Sequence, residues 1–332
     1  MKPKIAISLG DPAGIGPEIT IASLNIAQHL CTPVLFGHWP TFEHVCRQLK
    51  WATDAFYISD KPSRESNDTK IAFIPISGPT TPVFTPDIDA AHVQLNALAE
   101  AVTAIQEGIC DALVTAPVSK ECIAQIQPGF TGHTEYLAQR SNLAKDEVTM
   151  VFATPSLVVG LISTHIPLSE IPGTINEKRY SRTLNHVIDT VKRNTGKATP
   201  RIAVAGLNPH AGEGGLLGKE EIEFIEPFCK KHNGRQGVEI AGPIPADAVF
   251  RDAFAGKYDG VIAAYHDQAL IPLKLGGFGG ATNVTAGLPF IRTSPDHGTA
   301  YEIARQNLAD PTAMKTAIEM AVRLQAGTPQ KV

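Results

Sequence analysis

Short apolar runs alternate with stretches of helical spacing along the whole chain. Residues 4–9, Lys4-Ile5-Ala6-Ile7-Ser8-Leu9, read as a buried strand. Residues 17–28 follow as a predicted helix, with Pro17 in the first turn, where its missing N–H costs nothing. Further strands are predicted near 33–36, 71–76, 111–115, 201–206 and 259–264. In 89–107, Ala91, Leu95, Leu98, Val102 and Ile105 recur at steps of four and three and Gly108 follows, which predicts a helix. Residues 148–153 and 157–163 flank Thr154-Pro155-Ser156 and predict an antiparallel hairpin. Helical spacing returns at 177–193, 218–231, 298–307 and 312–325, and the polar stretch 59–69 predicts a surface loop. Strands separated by helices imply an α/β fold with helices on both faces of the sheet, one part of it mixed because of the hairpin.

The polar residues sit where such a fold binds ligands, at the carboxyl ends of strands. The first strand runs into Gly10-Asp11-Pro12-Ala13-Gly14-Ile15-Gly16-Pro17-Glu18, and strand 111–115 into Thr115-Ala116-Pro117-Val118-Ser119-Lys120. His165, His210 and His266 each follow a different predicted strand. Three imidazoles with an open position suit a catalytic metal; the alternative is that each merely hydrogen-bonds a loop or binds phosphate. The Gly10–Glu18 loop is either a phosphate cradle or a tight strand-to-helix turn, and it is neither a G-x-G-x-x-G nor a P-loop. His133 and Thr134 open a helix-like stretch, with Thr134 a good N-cap and the helix start able to hold an anion. Lys274, Asn283 and Arg292 lie in the glycine-rich region 274–298; Lys offers a point charge and Arg a fork for phosphate or carboxylate, although singly each reads as a solvated surface residue. Asp247 reads as a general base or a helix cap, and His297 as a turn residue held by Asp296.

Composition narrows the classes. At 332 residues the chain should bury roughly 75% of its unfolded surface. With 29 Lys+Arg against 33 Asp+Glu the net charge is −4, and no basic field points to nucleic acid. A small anionic substrate remains compatible, since a few basic groups in one cleft dominate locally. Five cysteines without C-x-x-C spacing argue against a disulfide framework or a cysteine zinc module and suggest a cytoplasmic protein. The N-terminal apolar run is too short for a signal segment, and no run approaches the ~20 apolar residues of a spanning helix, so no membrane association is expected.

Together, Gly10–Glu18, Thr115–Lys120, Gly132-His133-Thr134-Glu135, Asn208-Pro209-His210-Ala211-Gly212-Glu213, Tyr265-His266-Asp267-Gln268 and Arg292–Ala300 closely resemble the 4-hydroxythreonine-4-phosphate dehydrogenase (PdxA) family of vitamin B6 biosynthesis, in order and over nearly the whole chain. The resemblance implies an isocitrate/isopropylmalate-dehydrogenase-like fold with two α/β/α subdomains and a cleft between them, approximately 1–135 plus 295–332, and 136–294. It implies a divalent metal (Zn, Mg or Co) on His165, His210 and His266, substrate contacts from His133, Thr134, Lys274, Asn283 and Arg292, NAD or NADP outside a standard fingerprint, and a homodimer with the active site at its interface. The implied reaction oxidises 4-phosphooxy-L-threonine to 2-amino-3-oxo-4-phosphooxybutanoate, which decarboxylates to 3-amino-2-oxopropyl phosphate; Asp247 is a candidate for its base. Relatives on the same scaffold oxidise sugar-acid phosphates or dihydrodiols. Three histidines with an anion site would also suit a zinc aldolase or hydrolase, which needs no nicotinamide.

Overall fold

The computed structural model describes residues 2–64, 70–276 and 281–327. In chain order the elements are β1 (Lys4–Ser8), α1 (Gly16–Ile21), α2 (Leu24–Leu30), β2 (Thr32–Gly37), α3 (Trp39–Gln48), β3 (Phe56–Ile58), β4 (Ile71–Pro75), α4 (Ile88–Gln106), β5 (Ala112–Thr115), α5 (Lys120–Ile126) and α6 (His133–Arg140). There follow β6 (Thr149–Ala153), β7 (Val158–Leu161), α7 (Glu177–Thr195), β8 (Arg201–Ala205), α8 (Glu226–His232), β9 (Glu239–Ile244), α9 (Ala246–Phe254), β10 (Gly260–Ala263), α10 (His266–Leu275), β11 (Thr282–Ala286), β12 (Ile291–Ser294) and α11 (Thr312–Ala326). The chain divides into unit 1, Met1–Lys145 with Leu288–Gln325, and unit 2, Asp146–Gly287 with Ala326–Val332.

Unit 1 carries strands in the order β3-β4-β2-β1-β5-β12, every pair parallel. All its strands therefore end at one edge. Alternation along β1 sends Ile5 and Ile7 into a cluster with α1, α2, α3 and α11, and Ala6 into a second cluster with α4 and α6. Both faces are thus covered, as a parallel sheet requires. Unit 2 carries β11-β6-β7-β10-β8-β9. The predicted hairpin is present: β6 runs antiparallel to β7, and also to β11. Thr154 Oγ1 closes its turn by accepting from the Leu157 N–H at 3.0 Å. The strands β7, β10, β8 and β9 are parallel.

The unit boundaries fall at 145/146 and 287/288 rather than 135/136 and 294/295. The reason is packing: Leu137 of α6 lies in one cluster with Leu98 and Val102 of α4. Gln106 Nε2 also donates to the Arg140 carbonyl at 2.7 Å, and β12 pairs with β5. Three predicted elements change. The helix over 17–28 breaks into α1 and α2, where Thr20 and Ser23 hydroxyls donate to the Gly16 and Ile19 carbonyls at 2.8 and 2.6 Å. Residues 298–307 form turns, not a helix, because Ala300, Arg305 and Asn307 adopt left-handed φ of 46°, 65° and 57°. Buried Glu18 fixes that path by accepting from the Arg305 and Asn307 N–H groups at 2.8 and 2.9 Å. The stretch 218–231 starts with a π-helical turn, Glu221–Ile225, before α8. Of the loop 59–69, residues 65–69 lie outside the described residues, as do 328–332. All five cysteines are free and buried, and burial pushes four of the thiols up to about 12. Among the described residues, no helix is long and apolar enough to cross a membrane.

Candidate active site

In unit 2 the three predicted metal ligands follow three adjacent parallel strands. Leu161 of β7 is level with Ala263 of β10, and Val204 of β8 with Ile262 of β10. The chain therefore leaves these strands at one edge, with His165 after β7, His266 opening α10 and His210 after β8. The His165 and His266 rings face each other with centroids 5.6 Å apart. His266 Nδ1 is 2.7 Å from Asp267 Oδ1, a contact that orients the ring and would leave Nε2 as the nitrogen able to meet a metal. His210 is exposed, on a turn that runs through the left-handed region. Among the described residues no three His, Cys, Asp or Glu side chains gather closely enough to hold a metal. The structure thus pairs two of the predicted ligands and leaves the third apart. Imidazole donors of this kind fit a divalent transition metal.

Asp247 is the second residue of α9 and exposed. The cap reading fails there, since Pro245 is the N-cap and no side chain caps the helix. Lys274 lies exposed in the last turn of α10, and Asn283 on β11 has a buried Oδ1 without a hydrogen-bond partner. Part of the predicted 274–298 region, residues 277–280, lies outside the described residues.

Unit 1 gathers the other predicted contacts. Arg292 of β12 is 2% exposed, and its Nε and Nη2 donate to Thr115 Oγ1 at 3.2 and 2.7 Å. Burial pushes the guanidinium down to about 9, with Glu135 opposing. His133 is the first residue of α6, and its Nε2 is sealed from solvent without a hydrogen-bond partner. Burial, then the Arg292 and Lys120 charges, hold this imidazole well below its ordinary range, so it is neutral at pH 7. Thr134 is not the N-cap: Gly132 takes that place with φ 150°, and no side chain caps the helix. The first-turn N–H groups of α6, with no side-chain cap, could receive an anion.

Sequence reasoning missed Lys120 as a site residue. A Cβ on Gly132 would stand 3.2 Å from Lys120 Cε, so the lysine stem lies across the start of α6. It also missed the buried scaffold below. Asp11 accepts from Tyr301 Oη at 2.6 Å, the Ala13 N–H at 2.9 Å and Gln94 Nε2 at 3.3 Å. Gln94 Oε1 in turn accepts from the Ser119 N–H at 2.7 Å, beside Lys120. Burial raises the Asp11 carboxyl, against the Tyr301 bond. The strand-end motifs around Asp11 and Lys120 were visible signals; nothing local marked Gln94 or Tyr301. The Gly10–Gly16 loop is buried throughout, and a Cβ on Gly10 (φ 67°) would meet the Pro117 carbonyl oxygen at 2.2 Å. It is a tight turn packed on the chain and does not fit a nucleotide phosphate. His297 is an exposed turn residue whose Nδ1 lies 3.1 Å from the Gly298 carbonyl oxygen.

Comparison with known proteins places these residues in a family. Residues 29–321 match the family model described as pyridoxal phosphate biosynthetic protein PdxA. The chain is 39% identical to 4-hydroxythreonine-4-phosphate dehydrogenase of Aromatoleum aromaticum over 97% of its own length and 96% of that protein. It is equally 39% identical to D-threonate 4-phosphate dehydrogenase of Pectobacterium atrosepticum, over 96% and 98% of the two chains. The crystal structure of 4-hydroxythreonine-4-phosphate dehydrogenase from Klebsiella pneumoniae superposes with a TM-score of 0.85 at 38% identity, covering 98% of this chain and all of that one. The α/β architecture, the ordered strand-end motifs and these matches agree: the chain belongs to the PdxA family.

Proposed function

We propose that this chain is a metal-dependent dehydrogenase that oxidises the C3 hydroxyl of 4-phosphooxy-L-threonine, with NAD or NADP as the hydride-accepting co-substrate, in pyridoxal phosphate biosynthesis. The observation that carries the reading is the exit of His165, His210 and His266 from three adjacent parallel strands at one edge, in a chain of this family. A divalent ion (Zn²⁺, Mg²⁺ or Co²⁺) on these imidazoles would acidify the substrate hydroxyl and stabilise the alkoxide. Asp267 fixes the His266 ring. Asp247 accepts the hydroxyl proton. Arg292, Thr134 and the open N–H groups of α6 hold the phosphate, with Lys274 and Asn283 as further contacts, and neutral His133 uses its buried Nε2 on the substrate. The product, 2-amino-3-oxo-4-phosphooxybutanoate, has a ketone β to its carboxylate. Loss of CO₂ to 3-amino-2-oxopropyl phosphate follows because that carbonyl accepts the electron pair.

The same reading makes the protein a cytoplasmic homodimer whose site is completed by the second chain. Exposed Leu216, Leu217 and Ile222 near His210, and Ile271 and Leu275 on the helix of His266, support an interface beside the metal ligands. Light scattering of active protein should give a dimer mass; a monomer would refute this part. The relative named for D-threonate 4-phosphate favours a second substrate reading, since it matches equally well. The two substrates differ at C2, amine against hydroxyl. The test is kcat/KM for NAD(P)H formation with each. A clear preference for the amino substrate supports the first reading, and preference for D-threonate 4-phosphate replaces it.

A further inference from the structure

The segment that carries His210 is held in an unusual backbone state. Five consecutive residues, His210 to Gly214, have φ of 51°, 50°, 82°, 44° and 64°. His210, Ala211 and Glu213 among them carry side chains, which disfavour this region. Such a conformation persists only where surrounding contacts over-determine it. Beside this turn lies the Glu221 carboxylate, from the π-helical turn, which is 2% exposed and holds Asn208, whose carbonyl accepts the Ala211 N–H at 3.1 Å. Its Oε1 accepts the Asn208 backbone N–H at 2.7 Å and its Oε2 accepts Asn208 Nδ2 at 2.9 Å. Asn208 Nδ2 also donates to Glu220 Oε2 at 2.8 Å. The same carboxylate packs under the turn, where a Cβ on Gly212 would meet Glu221 Oε2 at 2.7 Å and one on Gly206 would meet Oε1 at 3.4 Å.

We propose that Glu221, acting through Asn208, is the positioning residue that fixes the left-handed turn carrying His210 and so sets how that imidazole can reach a metal. This rests on the reading of His210 as a metal ligand. Both Glu221 oxygens are used as acceptors, so a glutamine of the same shape cannot replace it: its amide NH₂ would face an Asn208 donor. Glu221→Gln therefore perturbs the turn without emptying volume. Supporting groups behind metal ligands are commonly worth 10- to 100-fold in affinity.

The test is titration of metal-free protein with Co²⁺ and Zn²⁺, by calorimetry and by the Co²⁺ ligand-field spectrum, in the unaltered protein, Glu221→Gln and Glu220→Gln. Glu221→Gln should weaken Co²⁺ binding by roughly 10-fold or more and alter the spectrum, while its metal-free far-UV circular dichroism stays unchanged. Glu220→Gln, which disturbs one bond of Asn208 alone, should weaken binding less. Unchanged affinity and spectrum in Glu221→Gln overturn the positioning role. If Glu221→Gln does not fold, unchanged affinity and spectrum in Asn208→Ala overturn it instead. Absence of stoichiometric metal binding in the unaltered protein overturns the His210 ligand reading and this inference with it. Lost activity with intact Co²⁺ binding in Glu221→Gln also counts against the inference while leaving that reading standing.

Discussion

Replacing Arg292 by methionine separates binding from stability. The guanidinium sits on β12 with 2% exposure, anchored on Thr115 Oγ1, and burial already disfavours its charge, pushing it down to about 9. The phosphate proposed to bind beside this guanidinium would add a charge-assisted contact to it. Loss of a charge-assisted contact is worth about 1.5–3 kcal/mol. At about 1.4 kcal/mol per factor of ten, KM for the phosphorylated alcohol should rise roughly 10- to 150-fold. In the ligand-free protein methionine retains most of the buried volume. Thr115 Oγ1 loses its donors at about 1 kcal/mol, partly offset by removal of a buried charge. The ligand-free Tm should therefore move by no more than about 4 °C. The assay is initial-rate NAD(P)H formation with phosphorylated and unphosphorylated substrate, beside a thermal melt. Equal loss of kcat/KM for both substrates would refute the phosphate role, and a collapse of Tm would show that Arg292 is structural.

Three further outcomes follow from the same geometry. His210→Ala should remove most bound metal while leaving the fold intact; elemental analysis showing full occupancy would sink the ligand assignment. His133 is held neutral in the folded chain but takes up a proton near its ordinary 6.5 when unfolded, so it contributes stability above that pH that is lost as pH falls below it, by up to about 1.4 kcal/mol per pH unit. Urea denaturation of His133→Gln between pH 7.5 and pH 5, values chosen to lie about one unit or more either side of that point, should show a shallower acid loss than the unaltered protein; parallel curves would contradict it. Gly10→Ala sets a Cβ against the Pro117 carbonyl oxygen at φ 67° and should cost at least about 2 kcal/mol in a urea melt, with a loss under about 0.5 kcal/mol arguing that the loop yields freely.

Much of the fold was legible because its signals are local. The apolar run Ile5-Ala6-Ile7 and the stripe from Ala91 to Ile105 each announce their element in consecutive residues, and the observed β1 and α4 follow them closely. The nearness of His165 and His266 was legible because each follows an apolar strand, and the adjacency of β7 and β10 then brings their rings to 5.6 Å. What was hidden depends on distant partners. Helical spacing over 298–307 loses to the Glu18 carboxylate, which captures two backbone N–H groups from the far end of the chain. Lys120 reaches the start of α6 only once α5 and α6 are folded, and Thr134 loses the cap position because Gly132 already turns the chain. The grip of Glu221 on Asn208 crosses thirteen positions and has no periodic signature.

The central claim, a metal-dependent dehydrogenase of this family, is tested most directly by one stoichiometric measurement. Purified protein is stripped with a chelator, reloaded with Zn²⁺, Mg²⁺ or Co²⁺, and supplied with 4-phosphooxy-L-threonine and NAD or NADP while reduced nicotinamide and released CO₂ are followed together. The account predicts no turnover in the stripped protein, recovery with at least one of the metals, and equal amounts of reduced nicotinamide and CO₂ at completion. Substrate consumption without nicotinamide reduction, or full activity after complete removal of metal, would contradict it.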